Sequence, residues 1–233
     1  ILKTSLSTGI KEPILTVHDL TPAGKDGSLG IRYFLYSPDF KKLLLYTNAK
    51  KVWRYDTRGD YWVYDFSDHT LKQLGITLPS SSLMFAKFSP DGKKTAYVSG
   101  HNLYVEDLST HQIKALTRDG PRQLINGTFD WWYEEEFACR EVFRWSPDSK
   151  AIAFWQINDS STRDYLMLNT TDAVYSHVVP VEYPVAGQRP SPFKIGVVDI
   201  VDNHIQWVHI PTDGKLGSYL PRMEWAHNSQ QLI

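Results

Sequence analysis

The chain has 233 residues, 42% of them hydrophobic and 22% charged, which is the composition of an ordinary globular protein. A net charge of −1 and a pI near 6.8 exclude the basic surface that holds a nucleic acid backbone. The one cysteine, Cys139, excludes an intrachain disulfide, and we expect it to be a small buried hydrophobic residue. The histidines show no spacing typical of a metal site, so neither a metal nor a cofactor is predicted.

Three segments of the chain resemble one another, and a fourth is a degraded copy. They begin at Tyr36 (YSPDFKKLLLYTN), Phe88 (FSPDGKKTAYVSG), Trp145 (WSPDSKAIAFWQI) and Trp225 (WAHNSQQLI). The repeated serines Ser37, Ser89 and Ser146 lie 52 and 57 residues apart. The fourth copy begins 80 residues after the third, so we expect an insertion in that interval.

Each copy predicts a β-hairpin. An aromatic residue ends one strand, Ser-Pro-Asp forms the turn, and proline presets φ at its first corner. Units of about 40 to 50 residues with several short strands are typical of a β-propeller, whereas a β-sandwich needs no repeat. We therefore predict an all-β fold with four-stranded blades, about four in this chain and eight in the full protein. The start without Met and the end within a strand indicate that 1–233 is a partial propeller.

The segment DWWYEEEF, residues 130–137, is unusual in a β-rich chain because strands disfavour glutamate. Adjacent side chains on a strand point to opposite faces, but in a helical turn they diverge by only about 100°. Two neighbouring glutamates can therefore share one cation only in a helix or turn, and we predict such a structure over 133–137. A carboxylate pair can bind an ammonium by charge-assisted hydrogen bonds. A run of three glutamates can also be simply a solvated face or a helix N-terminal turn.

DWWYEEEF and the following FRWSPDSKAIAFWQIND, from Phe143, resemble the propeller of dipeptidyl peptidase IV and its relatives in the prolyl oligopeptidase family. Two further stretches match that family in the same order: VWRYDTRGDYWVYDF from Val52 and VPVEYPVAGQRPSPFKIGVVDI from Val179. The stretch RDYLMLNTTDAVYS, from Arg163, is more similar to bacterial members. The resemblance implies a serine exopeptidase that releases N-terminal dipeptides with Pro or Ala second.

The resemblance also implies roles for individual residues. Glu135 and Glu136 would hold the α-amino group of the substrate, and Arg54 would hydrogen-bond the carbonyl between its first two residues. Glu134 would then be structural, meeting a backbone donor or a cation. Trp131, Trp132 and Tyr133 are interpreted from the residues themselves as packing that holds the acidic segment in place. Without the resemblance, Arg54 would be interpreted as one half of a surface ion pair.

The catalytic Ser, Asp and His of such an enzyme would lie on an α/β-hydrolase domain downstream of the propeller. The 233 residues contain no Gly-x-Ser-x-Gly elbow, so no catalytic residue is predicted in this chain. The alternative is an inactive propeller scaffold that binds protein partners. An intact Glu135–Glu136 pair and Arg54 favour the enzyme, because a scaffold does not need them.

The remaining expectations concern surroundings and partners. The partners implied are peptides with a free N-terminus, the hydrolase domain and a second copy of the protein in a homodimer. No nucleic acid partner is expected. We expect a secreted or periplasmic protein, or the ectodomain of a membrane-anchored one. The sequons at Asn126, Asn158 and Asn169 are glycosylation sites only on a eukaryotic secretory route.

Overall fold

The computed structural model describes residues 1–211 and 218–233, which form antiparallel sheets and one short helix. An N-terminal hairpin consists of β1 (Leu2–Thr4) and β2 (Lys11–Pro13). The first four-stranded sheet contains β3 (Ile31–Tyr36), β4 (Lys42–Lys50), β5 (Arg58–Asp65) and β6 (Thr70–Gln73) in chain order. The second contains β7 (Met84–Phe88), β8 (Lys94–Ser99), β9 (Asn102–Asp107) and β10 (Ile113–Ala115), also in chain order. Within the two described ranges, no helix is long and apolar enough to span a membrane.

The third sheet differs from the first two, in which neighbouring strands follow one another in the chain. Its strands are β11 (Leu124–Asn126), β12 (Phe143–Trp145), β13 (Ala151–Asn158), β16 (Phe193–Asp199) and β17 (Ile205–Val208). Both β11 and β12 pair with β13, along successive parts of its length. Between them the chain leaves the sheet and forms α1 (Trp131–Glu136). The acidic segment is therefore an excursion from one edge of this sheet.

The insertion predicted in the long interval is a two-stranded arm. It consists of β14 (Asp164–Asn169) and β15 (His177–Glu182), which pair with each other and with no other strand of the described chain. The fourth copy of the repeat contributes a single β-bridge, between Trp225 and Leu232. The described residues thus form three blade-like sheets and one bridge of the fourth copy, where about four blades were predicted.

The Ser-Pro-Asp turns repeat the same hydrogen bonds in each blade. The serine hydroxyl donates to the aspartate two residues later, at 2.7 Å in Ser37–Asp39 and 2.6 Å in Ser89–Asp91. The same oxygen accepts a backbone N–H from the start of the next strand, at 2.9 Å for Lys42. A short serine side chain thus satisfies the backbone of the turn.

Turns of successive blades also contact one another. The backbone N–H of Asp91 donates to the hydroxyl of Ser149 at 3.0 Å, and that of Asp148 donates to Ser229, also at 3.0 Å. Each bond joins the fourth position of one copy to the fifth position of the next, so the same contact recurs between the second, third and fourth copies. A contact that recurs between neighbouring units is the pattern expected of blades arranged side by side around an axis.

The cores lie between consecutive sheets. Leu44, Tyr46, Tyr61 and Val63 of the first sheet pack with Ala86 and Tyr97 of the second. Apolar side chains of β8 and β9 pack in the same way against Phe143, Ile152 and Phe154 of the third sheet. Burial of apolar side chains between neighbouring sheets is the main favourable contribution to this stack.

Glu106 of β9 is a buried carboxylate that connects the first two blades. It is 1% exposed, and its Oε2 accepts hydrogen bonds from the N–H of Gly75, at 2.9 Å, and from the hydroxyl of Tyr97, at 2.8 Å. Gly75 follows β6 of the first sheet, so this carboxylate satisfies a donor from the neighbouring blade. Burial raises the pKa of Glu106 above its ordinary value.

We predict that Glu106→Ala lowers the free energy of unfolding by about 3 kcal/mol, because it leaves two buried donors without an acceptor. Urea denaturation measures this change. Glu12→Ala, at an exposed position on β2, is the matched control and should shift the midpoint little. Equal midpoints for both variants would contradict the assigned role of Glu106.

Candidate functional site

Helix α1 is fixed at its start by a side-chain cap. Asp130 has extended backbone dihedrals, and its Oδ1 accepts the N–H of Tyr133 at 3.0 Å. Aspartate is a preferred residue at this position because it satisfies an otherwise unpaired N–H of the first turn. The prediction of a helix or turn over 133–137 is confirmed, although the helix begins at Trp131 and ends at Glu136.

The centre of α1 is anchored by Tyr133, which is completely buried. Its ring stacks on Phe129 with centroids 4.9 Å apart, and its hydroxyl oxygen accepts the N–H of Leu220 at 3.1 Å. Trp131 packs instead on Tyr183, just beyond β15, with ring centroids 4.3 Å apart. Tyr133 and Trp131 thus pack against aromatic rings outside α1, and their supporting role for the acidic segment stays a prediction.

Arg54 lies in the connection between β4 and β5, residues 51–57, and meets α1 directly. Its Nε donates to Oε2 of Glu135 at 2.9 Å, across 81 residues of sequence. The side chain of Arg54 is 69% exposed, whereas that of Glu135 is 12% exposed. The bond uses Nε, and the two terminal nitrogens of Arg54 make no hydrogen bond within residues 1–211 and 218–233.

The ion pair lies at a cleft of about 440 Å³. The cleft is lined by Trp53 and Arg54, by Trp131 and Glu135, and by four residues of the arm and its end, namely Tyr165, Met167, Val181 and Tyr183. Apart from Arg54 and Glu135, all of these side chains are apolar or aromatic. Such a wall strengthens the interaction of the two charged groups with a polar ligand, since it lowers the local dielectric.

The topology explains why these segments meet. The 51–57 segment joins the second and third strands of the first blade, and the arm joins the equivalent strands, β13 and β16, of the third blade. In antiparallel meanders with the same strand order, equivalent connections lie at the same end of each blade. In the second blade that connection is only Gly100 and His101, which leaves space between the other two.

The three glutamates have different surroundings. Glu134 is 4% exposed, and its Oε1 has no hydrogen-bond partner within the described ranges. Burial raises the pKa of Glu134 to about 7, against the opposing charge of Arg140. Glu135 is half-buried in the cleft wall, and Glu136 is exposed. Arg140 acts on Glu134 by charge rather than through a hydrogen bond, and the structural role of Glu134 stays a prediction.

Glu134 faces a second cavity, of about 420 Å³, beneath the acidic segment. Asp130 and Asp159 also line it, and burial raises the pKa of Asp159 to about 6. Arg122 lies at the edge of this cavity and is held by Asp164 of the arm, at 2.8 Å, and by Glu182, at 2.7 Å. The arm is thus bound to the body of the chain by ion pairs as well as by aromatic packing.

The sequence missed several residues that shape the site. Tyr165, Met167, Val181 and Tyr183 of the cleft wall follow the two-residue spacing of a strand face, which could have been read from the sequence. Arg140 and its contact with Tyr55, at 3.4 Å from guanidinium carbon to ring centroid, have no sequence signal that we can identify.

Other predicted residues are also located. Cys139 is 4% exposed, as expected, and burial raises the pKa of its thiol. Asn126 is completely buried and its amide donates to Asp119 at 3.0 Å, so a glycan at this sequon is incompatible with the fold. Asn158 is exposed and Asn169 partly so. Among the described residues, no group of three or more His, Cys, Asp or Glu side chains is placed to hold a metal ion.

Comparison with known proteins identifies the family. The sequence profile described as "Dipeptidyl peptidase IV (DPP IV) N-terminal region" matches residues 37–233. The dipeptidyl aminopeptidase B of Saccharomyces cerevisiae is 30% identical over 212 residues, which is 88% of this chain and 25% of that protein. The crystal structure of Porphyromonas gingivalis dipeptidyl peptidase 4 superimposes with a TM-score of 0.88 at 25% identity, covering 99% of this chain and 32% of that one.

These matches confirm the predicted fold, since the three sheets correspond to the propeller region of the bacterial structure. The chain spans about a quarter of the length of its yeast relative and about a third of that of the bacterial protein. The similarity extends over almost the whole described chain, including α1 and the arm. The chain belongs to the dipeptidyl peptidase IV family, and it forms part of that family's N-terminal region.

Proposed function

We propose that this chain is the substrate-selecting part of a serine exopeptidase that releases X-Pro or X-Ala dipeptides from free N-termini. The observation that carries the proposal is the Arg54–Glu135 pair, held at 2.9 Å beside a cleft walled by aromatic side chains. The pair places a hydrogen-bond donor and an acceptor for a short peptide within one small site. The names of the yeast and bacterial relatives support a dipeptide-releasing activity for the whole protein.

The charges around α1 favour a cation as the missing partner. Three carboxylates lie on the helix, and two guanidinium groups, those of Arg54 and Arg140, interact with them. No basic residue lies in the last turn of α1, where the helix carbonyls add negative potential. A protonated α-amino group, whose pKa is about 8, supplies the charge that this arrangement lacks. We propose that Glu135 and Glu136 share this α-amino group.

Clamping the amino group also defines the bond that is cut. If the ammonium and the nucleophile are both fixed, only a bond about two residues, or roughly 7 Å, from the N-terminus is within reach. Arg54 then donates to the carbonyl between those two residues, which sets the orientation of the dipeptide. The nucleophile would come from the α/β-hydrolase domain of the whole protein. The whole protein would be secreted, periplasmic or the ectodomain of a membrane-anchored protein.

The arm is the surface that we propose for a homodimer of the whole protein. Tyr165 and Met167 face the cleft, so strand alternation places Leu166 and Leu168 on the opposite face. These two leucines are 65% and 64% exposed, and Val178, which pairs with Leu168, is 54% exposed. A contiguous exposed apolar face of this kind is typical of an interaction surface.

We predict that Glu135→Ala and Glu136→Ala in the full-length protein each lower kcat/KM for Gly-Pro-p-nitroanilide by about 10- to 100-fold, because each removes a charge-assisted hydrogen bond to the ammonium. Hydrolysis rates of the free substrate and of its N-acetylated form measure the effect. Acetylation should produce a comparable loss in the unmodified enzyme, and Glu12→Ala should not. Wild-type rates for both glutamate variants would exclude the anchor, and a folded protein inactive on both substrates would favour the partner-binding scaffold.

The raised pKa of Glu134 predicts a pH-dependent stability. Between its ordinary pKa of 4.5 and about 7, the folded state binds more protons than the unfolded chain, so this group lowers stability as the pH rises through that window. Glu134→Gln removes the effect, and the variant should gain stability relative to wild type from pH 4.5 to 7.5. Asp130, Asp159, Glu135 and Arg140, the charged neighbours, are the same in both proteins. Urea midpoints across this range test the prediction, which a constant difference would contradict.

We predict that Leu168→Glu in the full-length protein converts a dimer to a monomer, since it places a charge in the centre of the exposed apolar face. Light scattering coupled to size-exclusion chromatography measures the mass. Val201→Glu, at a position that is 79% exposed and distant from the arm in sequence, is the control. A monomeric wild-type protein, or a dimeric Leu168→Glu, would exclude the arm as the interface.

A further inference from the structure

The 51–57 segment, which carries Arg54, is joined to the α1 region by two contacts rather than one. The first is the bond of Arg54 to Glu135. The second is the stacking of the Arg140 guanidinium on the ring of the next residue, Tyr55, with 3.4 Å between the guanidinium carbon and the ring centroid. At this distance the planar cation lies flat on the ring face, which is a favourable cation–π geometry.

Arg140 is the fixed partner in this contact. The preceding residue, Cys139, is buried, and its N–H donates to the carbonyl of Tyr133 at 3.0 Å. The backbone that carries Arg140 is therefore tied to the most buried residue of α1. The Nε of Arg140 is itself buried and has no hydrogen-bond partner within residues 1–211 and 218–233. The ring of Tyr55 and the carboxyl of Glu134 thus hold the guanidinium in place of a hydrogen bond.

Arg54, in contrast to Arg140, is held by few contacts. Its side chain is 69% exposed, and an exposed arginine has many rotamers of similar energy. The segment around it has few bonds. The N–H groups of Val52 and Thr57 each donate to the carbonyl of Tyr55 at 3.1 Å. The carbonyl of Asp56 accepts the hydroxyl of Tyr46 at 2.8 Å, and its carboxylate pairs with Arg32 at 3.2 Å. Fixing the ring of Tyr55 therefore fixes the backbone from which Arg54 extends.

We propose that Arg140 is a positioning residue for substrate selection, which stacks on Tyr55 and so holds Arg54 at the distance from Glu135 that a dipeptide requires. Arg140 does not touch the substrate in this arrangement. The inference rests on the proposed function, because it gives Arg140 a role only if Arg54 and Glu135 bind the first two residues of a peptide. It adds that the spacing of donor and acceptor is set by a second contact, the stacking of Arg140 on Tyr55.

The electrostatics of the site agree with this role. The charge of Arg140 lowers the pKa of Glu134, which burial otherwise raises. One guanidinium therefore stabilises the ionised form of the buried glutamate and holds the neighbouring segment through a ring face. Lysine could supply the charge but not the flat stacking surface, so the two tasks can be separated by mutation.

The test uses Arg140→Met and Tyr55→Leu in the full-length protein, with Gly-Pro-p-nitroanilide as substrate. We expect each variant to lower kcat/KM by about tenfold, mainly through KM, because loss of the stacking contact weakens binding of the ground state and transition state alike. The double variant should lose no more than the worse single variant, since both remove one contact. Tyr55→Phe keeps the ring face and should rescue most of the loss, whereas Arg140→Lys should not.

The controls separate positioning from folding. Arg189→Met, at an exposed arginine outside the site, should keep wild-type kinetics. The unfolding midpoints of Tyr55→Leu and Arg140→Lys, which both keep a positive charge beside Glu134, should lie close to that of the wild-type protein. Additive losses in the double variant, or the same loss in Tyr55→Phe as in Tyr55→Leu, would overturn the inference.

Two further variants distinguish this inference from the function on which it rests. If Arg54→Ala and Glu135→Ala both keep wild-type rates, the proposed function itself is wrong. If these two lose activity while Arg140→Met and Tyr55→Leu do not, the binding pair is correct and only the positioning role of Arg140 is excluded.

Discussion

The position of the acidic segment depends on the burial of Tyr133. Its ring is stacked on Phe129, and its hydroxyl is bonded to the backbone of Leu220, whose carbonyl accepts the indole N–H of Trp155 at 2.8 Å. With this residue fixed, the helical step of about 100° distributes the next three side chains over three directions. Glu134 points inward, Glu135 lies in the cleft wall and Glu136 is exposed. Because Tyr133 is fixed, the three glutamates that follow it have three different environments.

These environments distinguish one glutamate that is buried beneath the helix from two that face outward. The inner glutamate has a pKa near 7 and is balanced by Arg140, while Glu135 is bonded to Arg54 and Glu136 makes no ion pair with any described residue. Glu135 is the glutamate that lines the cleft, so a cation that enters it would meet this carboxylate first. The buried glutamate does not line this cleft, and the charge of Arg140 offsets its own.

The sequence was sufficient for those features that repeat or that depend on local chemistry. The Ser-Pro-Asp turns are local, and their hydrogen bonds recur in each copy, so the hairpins and the blade spacing could be predicted. The short helix followed from the three glutamates alone, although its start, set by the cap at Asp130, was placed two residues too late. The resemblance implied that Arg54 and the glutamates bind one substrate, but neither it nor any pattern in the residues predicted the bond of Arg54 to Glu135.

Contacts between distant, non-repeating segments could not be predicted in this way. Arg140 and Tyr55 are 85 residues apart and neither belongs to the repeat, so only the folded chain brings them together. The same is true of the arm, which the sequence showed as an insertion of unknown form. The aromatic face of the arm forms a cleft only because the folded chain places it opposite Trp53 and Trp131.

The site is assembled where the blades differ from one another. The repeated turns and the buried sheets are shared by all three blades. Arg54, α1 and the arm belong to connections between strands, and in the second blade the equivalent connection is either absent or only two residues long. A stack of similar sheets fixes the ends of these connections in space, and the connections themselves are then free to vary in length and composition. The dependence of Arg54 on a stacking contact follows from this arrangement, since a connection that belongs to no sheet needs its own attachment to present a side chain at a defined position.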